Sequence, residues 1–193
     1  MINENQVLRR EEETLLKMES DKYYILATSS YADDQTKVLN FGDTFAVFDR
    51  WGDARQIGQG LQGIYHQGTR FISDLEFRIF GYRPVLLSSN VKTENEVLSI
   101  DLTNPRIELD NGHHIEKGMI HIARTKFLLE GICYESIILQ NYDVRPASFE
   151  VSLLFKSDFS DIFEVRGMHR DNKGEVLLPE TTPEGFLKLA YDG

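Results

Sequence analysis

The stretch Gly63-Ile64-Tyr65-His66-Gln67-Gly68-Thr69-Arg70-Phe71-Ile72-Ser73-Asp74-Leu75-Glu76-Phe77-Arg78-Ile79-Phe80 decides how the chain is read. From Thr69 onward it alternates without a break. Phe71, Ser73, Leu75, Phe77 and Ile79 fall on one side, and Arg70, Asp74, Glu76 and Arg78 on the other. A period of two places every second side chain on one face only in a strand, so the run predicts a long half-buried β-strand. Its front end, Gly63, Tyr65, His66, Gly68 and Arg70, is a polar, glycine-punctuated entry. An aromatic ring, an imidazole and a guanidinium that close together suit either a surface site or a pinned loop.

Outward from this stretch the same grammar repeats. Thr44 to Asp49 predicts a strand with Phe45 and Val47 on one face, Ala46 and Phe48 on the other, and an exit turn at Gly52-Asp53. Residues 54–63, rich in Gly and Gln, read as a loop. Gly81-Tyr82-Arg83-Pro84 predicts a hairpin turn into Val85 to Ser89, and Val97 to Leu102 a strand stopped at Thr103-Asn104-Pro105. Asp110-Asn111-Gly112 is a turn signal. Met119 to Leu129 and Ile132 to Leu139 flank Glu130-Gly131, the clearest hairpin in the chain. Ala147 to Phe155 follows as a strand, then two short strands near Val176 and Leu187, and a last strand at Ala190-Tyr191 with no partner after it.

Before all of these, residues 7–20 predict a short helix and Tyr23 to Thr28 a strand. About ten strands with turns between them and almost no helix predict an all-β, antiparallel β-sandwich. We expect an N-terminal segment at 1–22 and a single β-sandwich domain at 23–193, cut from a longer protein because an unpaired final strand is an edge that domains usually protect.

Composition narrows the function classes. The chain of 193 residues carries a formal net charge of −10, with 27% charged and 41% hydrophobic residues. That balance excludes disorder and argues against nucleic acid or an anionic membrane, both of which require a basic patch. Neutral partners such as sugars remain compatible. A single cysteine, Cys133, excludes an intrachain disulfide framework. No apolar run approaches the roughly 20 residues of a membrane span and no signal peptide opens the chain, so a cytoplasmic location is expected.

No cofactor or metal is expected either. His113-His114 sit in a turn without ligands at metal spacing. Gly58-x-Gly60-x-x-Gly63 spells a dinucleotide fingerprint but lacks the strand before it and the helix after it.

Two groups of residues carry chemistry. Asp158, Asp161 and Glu164 form an acidic cluster. Glycosidic hydrolysis calls for two carboxyls about 5 Å or about 6.5–9.5 Å apart. The competing reading gives Asp158 and Asp161 side-chain-to-backbone turn bonds and makes Glu164 and Arg166 a surface pair. Trp51, Tyr65, His66, Thr69 and Arg70 supply the aromatic faces and planar polar groups that grip sugars. Trp51 equally reads as a tryptophan capping the core.

Several motifs together carry a resemblance. Gly42-Asp43-Thr44-Phe45-Ala46-Val47-Phe48-Asp49-Arg50-x-Gly52-Asp53, then Gly63-Ile64-Tyr65-His66-x-x-Thr69-Arg70-Phe71-Ile72-Ser73-x-Leu75-Glu76, occur in the order found in one family. Pro84 to Ser89, Asp101-Leu102-Thr103-Asn104-Pro105 and Asp158-Phe159-Ser160-Asp161-Ile162-Phe163-Glu164-Val165-Arg166-Gly167 continue the match. Over roughly Asn40 to Arg170 the chain resembles the N-terminal domain of bacterial-type glycogen debranching enzymes, the amylo-α-1,6-glucosidase group. One position departs, with Gly68 where the family usually has aspartate before Thr-Arg-Phe.

The resemblance implies a supersandwich-like β domain ahead of a helical (α/α)₆ toroid that holds the catalytic carboxylates, so no catalytic residue is carried over to this chain. The expected role is that of an accessory domain. It would pack on the toroid of the same parent chain as its partner, with Trp51, Tyr65, His66, Thr69 and Arg70 as candidate contacts to that toroid or to α-glucan. The rival readings are a stand-alone carbohydrate-binding module, a stand-alone glycosidase using Asp158 or Asp161 with Glu164, and an interaction domain with no affinity for sugar.

Overall fold

The computed structural model describes residues 36–56, 60–92, 94–109, 112–148, 150–170 and 173–193. The helix expected at 7–20, the strand expected at Tyr23 to Thr28, Phe149, and Asp110-Asn111 lie outside the described residues.

The chain forms β1 (Lys37–Phe41), β2 (Thr44–Phe48), β3 (Gly63–His66), β4 (Thr69–Ile72), β5 (Asp74–Ile79), β6 (Val85–Lys92), β7 (Val97–Thr103), β8 (Ile107–Glu108) and β9 (His114–Ile115). It continues with β10 (Ile120–Leu129), β11 (Ile132–Asn141), β12 (Val151–Lys156), the one-turn helix α1 (Ile162–Val165), β13 (Glu175–Val176), β14 (Glu180–Thr181), β15 (Leu187–Lys188) and β16 (Tyr191–Asp192). Every pairing is antiparallel, in the orders β1-β2-β3-β4, β11-β10-β7-β6, β12-β5, β13-β16, β14-β15 and β8-β9. The all-β antiparallel sandwich expected from the alternating runs is what the chain adopts. Its core joins Leu39, Ala46 and Phe48 of the first sheet to Phe77 and Ile79 of β5 and to Ile100, Leu102 and Ile122 of the β11-β10-β7-β6 sheet.

The long strand expected through Thr69 to Phe80 is three elements. A two-residue turn at Gln67-Gly68 closes β3 onto β4, with φ of 48° and 81° at its two positions. Positive φ at both central residues is the turn whose twist matches a hairpin, and glycine tolerates it best. The register between β3 and β4 then slips, with Ile64 opposite Ile72 but Tyr65 opposite Arg70, and Phe71 is the extra residue of a bulge. A bulge shifts the alternation by one residue. Arg70 therefore turns inward, 5% exposed, and Phe71 outward, 43% exposed. Beyond Ser73 the expected order returns, and Leu75, Phe77 and Ile79 line the core.

Other expectations divide in the same way. The β10–β11 hairpin forms around Glu130-Gly131, with φ of 49° and 80°. Val97 to Thr103 and Thr44 to Phe48 are strands, the latter with Ala46 and Phe48 inward. The expected hairpin between the organising strand and Val85 to Ser89 does not form. Phe80-Gly81 reverses the chain for one residue pair, Ile79 with Tyr82. After Arg83-Pro84 the chain joins the other sheet, so β6 pairs with β7, and β5 with β12. The final strand is not unpaired, because β16 closes on β13.

The described helix lies at Ile162–Val165. Asp161 caps it: its side chain accepts from the Phe163 amide while Glu164 reaches back to the Asp161 amide. This reciprocal capping box is written in the sequence as Asp-x-x-Glu. No helix among the described residues is long and apolar enough to cross a membrane.

Candidate functional site

The two groups singled out in the sequence meet in space. Residues 156–162 run antiparallel beside β4, with Arg70 N–H donating to the Ser160 carbonyl at 2.9 Å and Ile162 N–H to the Gly68 carbonyl at 2.8 Å. Thr69 pairs with Asp161 in an isolated bridge. The bulge sends the Arg70 side chain into the space above Gly63. A Cβ on Gly63 would lie 2.6 Å from Arg70 Cδ and 2.5 Å from the Ile72 carbonyl oxygen, so only glycine admits this path.

Arg70 then grips Asp158 with both prongs, Nε to Oδ1 at 3.1 Å and Nη2 to Oδ2. Its remaining nitrogen, Nη1, donates to the carbonyls of Gly60 and Gln62. The fork geometry of a guanidinium matches a carboxylate bidentately, which makes this a clasp between two distant segments and the 60–62 loop. Burial pushes the Asp158 carboxyl up, but the Arg70 guanidinium outweighs it and holds the group below its ordinary value.

Tyr65 is buried beside this clasp. Its ring stacks on Phe45 at 4.5 Å, and its hydroxyl donates to the Leu61 carbonyl at 2.8 Å. His66 Nδ1 meets Thr44 Oγ1 at 2.8 Å across β2 and β3. Trp51 is partly buried, with Nε1 donating to the Pro84 carbonyl at 2.9 Å and the Arg83 guanidinium lying 4.0 Å over the ring.

Asp161 and Glu164 serve the helix cap, and Glu164 pairs with Lys173 at 2.8 Å. The expected Glu164–Arg166 pair is replaced by that one. Asp158 accepts the Ser160 amide at 3.3 Å and Asp161 the Phe163 amide at 2.8 Å, the turn bonds anticipated for these two aspartates. An open hollow of about 530 Å³ lies beside α1, lined by Asp161, Phe163, Glu164, Met168, His169 and Arg170. Among the described residues no group of three or more His, Cys, Asp or Glu side chains is placed to hold a metal ion.

A second charged centre, absent from the sequence reading, sits inside the sandwich. β10 points Ile120, Ile122, Arg124, Lys126 and Leu128 inward, so an arginine and a lysine occupy core positions. Arg124 Nη1 donates to Asp53 Oδ1 at 2.6 Å and its Nε to Glu135 Oε1 at 2.7 Å. Lys126, directly opposite Glu135 in the hairpin register, donates to Oε2 at 2.6 Å. Phe77 and Phe48 lie 5.0 Å from these two cations. Burial drives the Lys126 ammonium well below its ordinary value, helped by the neighbouring Arg124 charge. For Glu135, burial pushes upward, but Lys126 and Arg124 together hold the carboxyl low.

The same loop aspartates tie in Arg83, which binds Asp49 and Asp53. Buried charges persist only when paired and hydrogen-bonded, and Arg124, Lys126, Asp53 and Glu135 satisfy that condition. The signal was available in the sequence. Arg124 and Lys126 stand two apart among Ile120, Ile122 and Leu128, so any strand that buries those apolar residues buries the two cations as well.

Trigger factor of Clostridium botulinum, from strains Hall and Okra alike, is 27% identical to this chain over 145 residues, which is 73% of this chain and 32% of that protein. The chain thus spans about a third of the length of the curated relatives it matches. No solved structure matches it. A family model described as the N-terminal domain of some glycogen debranching enzymes matches residues 39–193, covering β2 through β16, the Arg70–Asp158 clasp and the buried charge network. The chain belongs to this family of glycogen debranching enzyme N-terminal domains.

Proposed function

We propose that the chain is a non-catalytic accessory domain that packs on the catalytic remainder of a glycogen-debranching α-1,6-glucosidase. The partner is the helical glycosidase domain of the same parent protein, and the location is cytoplasmic.

One observation carries this reading. In antiparallel pairs, residues directly opposite each other share a face. Val151, Leu153 and Phe155 of β12 therefore continue the inward row of Ile79, Phe77 and Leu75. The inner row is buried, whereas its continuation on β12 is about 40% exposed. Leu139 of β11, opposite the buried Ile122, is open as well. An uncovered row of core-facing apolar side chains is a docking surface, and the edges of β11 and β12 that pair with no strand among the described residues offer backbone groups beside it.

The clasp supports the non-catalytic part of the reading. Asp158, Asp161 and Glu164 are each committed to an ion pair or a cap, and Arg70 and Tyr65 to internal bonds.

Hydrogen exchange tests the proposal. Amides of β12 and β11 are expected to exchange faster than those of β5 and β10 in this chain. They should slow when the catalytic remainder of the parent protein is added. Unchanged exchange on addition, or glucose released from a branched dextrin by this chain alone, would overturn the reading.

A further inference from the structure

The outer face of the β11-β10-β7-β6 sheet has a chemistry that the packing role does not use. Cross-strand register places Asn90, Ser99, Thr125 and Ser136 in one row across all four strands. Among the described residues, none of these four side chains has a hydrogen-bond partner within the protein. One step along the strands, Phe127 and Tyr134 lie opposite each other, stacked at 4.9 Å with their planes 12° apart. Both rings are more than a third exposed. Farther along the other way, Gln140 lies opposite His121, whose ring approaches Tyr142.

Charge is almost missing from this face, on a protein whose net charge is −10. Its formally charged side chains are Asp101 and Lys92, which cancel. Asp101 is already engaged by Ser88 Oγ at 2.8 Å and His121 Nε2 at 3.1 Å. Solvated surfaces ordinarily carry about a quarter to a third charged residues of both signs. This one offers hydroxyls and amides beside an apolar surface made of Phe127 and Tyr134 together with the exposed Leu129, Ile132 and Ile138.

From this juxtaposition we infer that the outer face of the β11-β10-β7-β6 sheet is a binding platform for a neutral oligosaccharide, with Phe127 and Tyr134 as the stacking end and the Asn90–Ser99–Thr125–Ser136 row as the hydrogen-bonding track. A pyranose ring is amphipathic. Its C–H face lies on an aromatic or aliphatic surface, while its hydroxyls both donate and accept, as Ser, Thr and Asn side chains do. An uncharged ligand on an electrically neutral face also strips no ion of its hydration. Six residues separate Phe127 from His121, about 20 Å along an extended strand, which accommodates several sugar units.

The choice of α-glucan as the sugar rests on the proposed function; the neutral polyhydroxylic chemistry does not. The inference also moves sugar contact away from Trp51, Tyr65 and Arg70, whose polar groups are spent inside the protein.

The test is a two-dimensional NMR titration of the chain with maltoheptaose. Expected are shifts at Phe127, Tyr134, Thr125 and Ser136, and a loss of affinity of roughly ten-fold in Tyr134→Ala. Should Tyr134→Ala fail to fold, Ser136→Arg blocks the track from an exposed edge-strand position and should abolish the same shifts. No shifts at millimolar sugar, or shifts confined to Trp51 and His66 or to the hollow beside α1, overturn the inference. So does a face that becomes protected by the catalytic remainder and then no longer takes sugar. Loss of the β12 protection described above would instead count against the packing role and leave this test standing.

Discussion

Two halves of one row of side chains behave differently. Leu75, Phe77 and Ile79 on β5 are 4%, 0% and 0% exposed, and their direct cross-strand partners Phe155, Leu153 and Val151 on β12 are 40%, 40% and 39% exposed. Residue types and strand geometry match across the pair. What differs is the layer opposite. β5 shares the core with Ile100, Ile122 and the Arg124 network, while among the described residues nothing covers β12 to the same depth. Burial is thus set by what stands across the sandwich. The closed half belongs to the core, and the open half is the surface proposed above to take a partner.

The largest effect should come from the closed half. Arg124→Ala takes from the buried Asp53 and Glu135 one of their two cations, leaving only Arg83 and Lys126, and is expected to cost about 3–5 kcal/mol, read from urea unfolding. A loss below about 1 kcal/mol would mean that water enters the network.

Phe77→Ala and Leu153→Ala remove side chains from opposite positions of the β5–β12 pair. Equal geometry but unequal cover predicts about 3–5 kcal/mol for the first and under about 1 kcal/mol for the second. Equal losses would show that β12 is covered in solution, for example by a second copy of the chain, which sedimentation would reveal.

Acid should act more gently. Glu135 and Asp158 are held below their ordinary values in the folded protein, because Lys126 and Arg124, and Arg70, outweigh the upward push of burial. Their contribution is present above the unfolded values of about 4.3 and 3.9 and is lost as the pH falls through the lower folded values. Asp53, pushed up by burial, works in the opposite sense, so urea midpoints should decline only shallowly on acidification below about pH 4. A midpoint that stays flat there would contradict the pairing.

Asp158→Asn, at a pair partly open to water, should cost about 1 kcal/mol. It should also speed exchange of the Arg70 and Ile162 amides. Asp161→Ala, at the exposed cap of α1, should cost about 0.5–1 kcal/mol and loosen residues 162–168 alone.

Legibility in the sequence followed the range of the interaction. The β10–β11 hairpin was readable because Glu130-Gly131 encodes its own turn and the flanking strands alternate. Local alternation also identified Leu75, Phe77 and Ile79 as core. It failed four residues before Leu75, at Phe71, where a bulge shifted the faces, because a bulge is an agreement between two strands and leaves no mark on one of them. The β5–β6 hairpin failed for a related reason. Phe80-Gly81 does turn the chain, but Pro84 and the better partner for β5, lying some 70 residues downstream at β12, decide the pairing. The acidic cluster was seen, and half of its role was seen with it. The turn bonds were local, whereas the Asp158–Arg70 clasp spans 88 residues.

The class of fold, the turns that carry their own glycine and the family were legible along the chain, since these rest on composition, on period and on short ordered motifs. That Arg70 and Tyr65 face inward, that Arg124 and Lys126 share one buried network with Asp53 and Glu135, and that the core-facing row of β12 is exposed emerges only when the strands are packed. Each of those facts depends on which strand lies across from which. That is a property of packing between distant segments, and no local pattern records it.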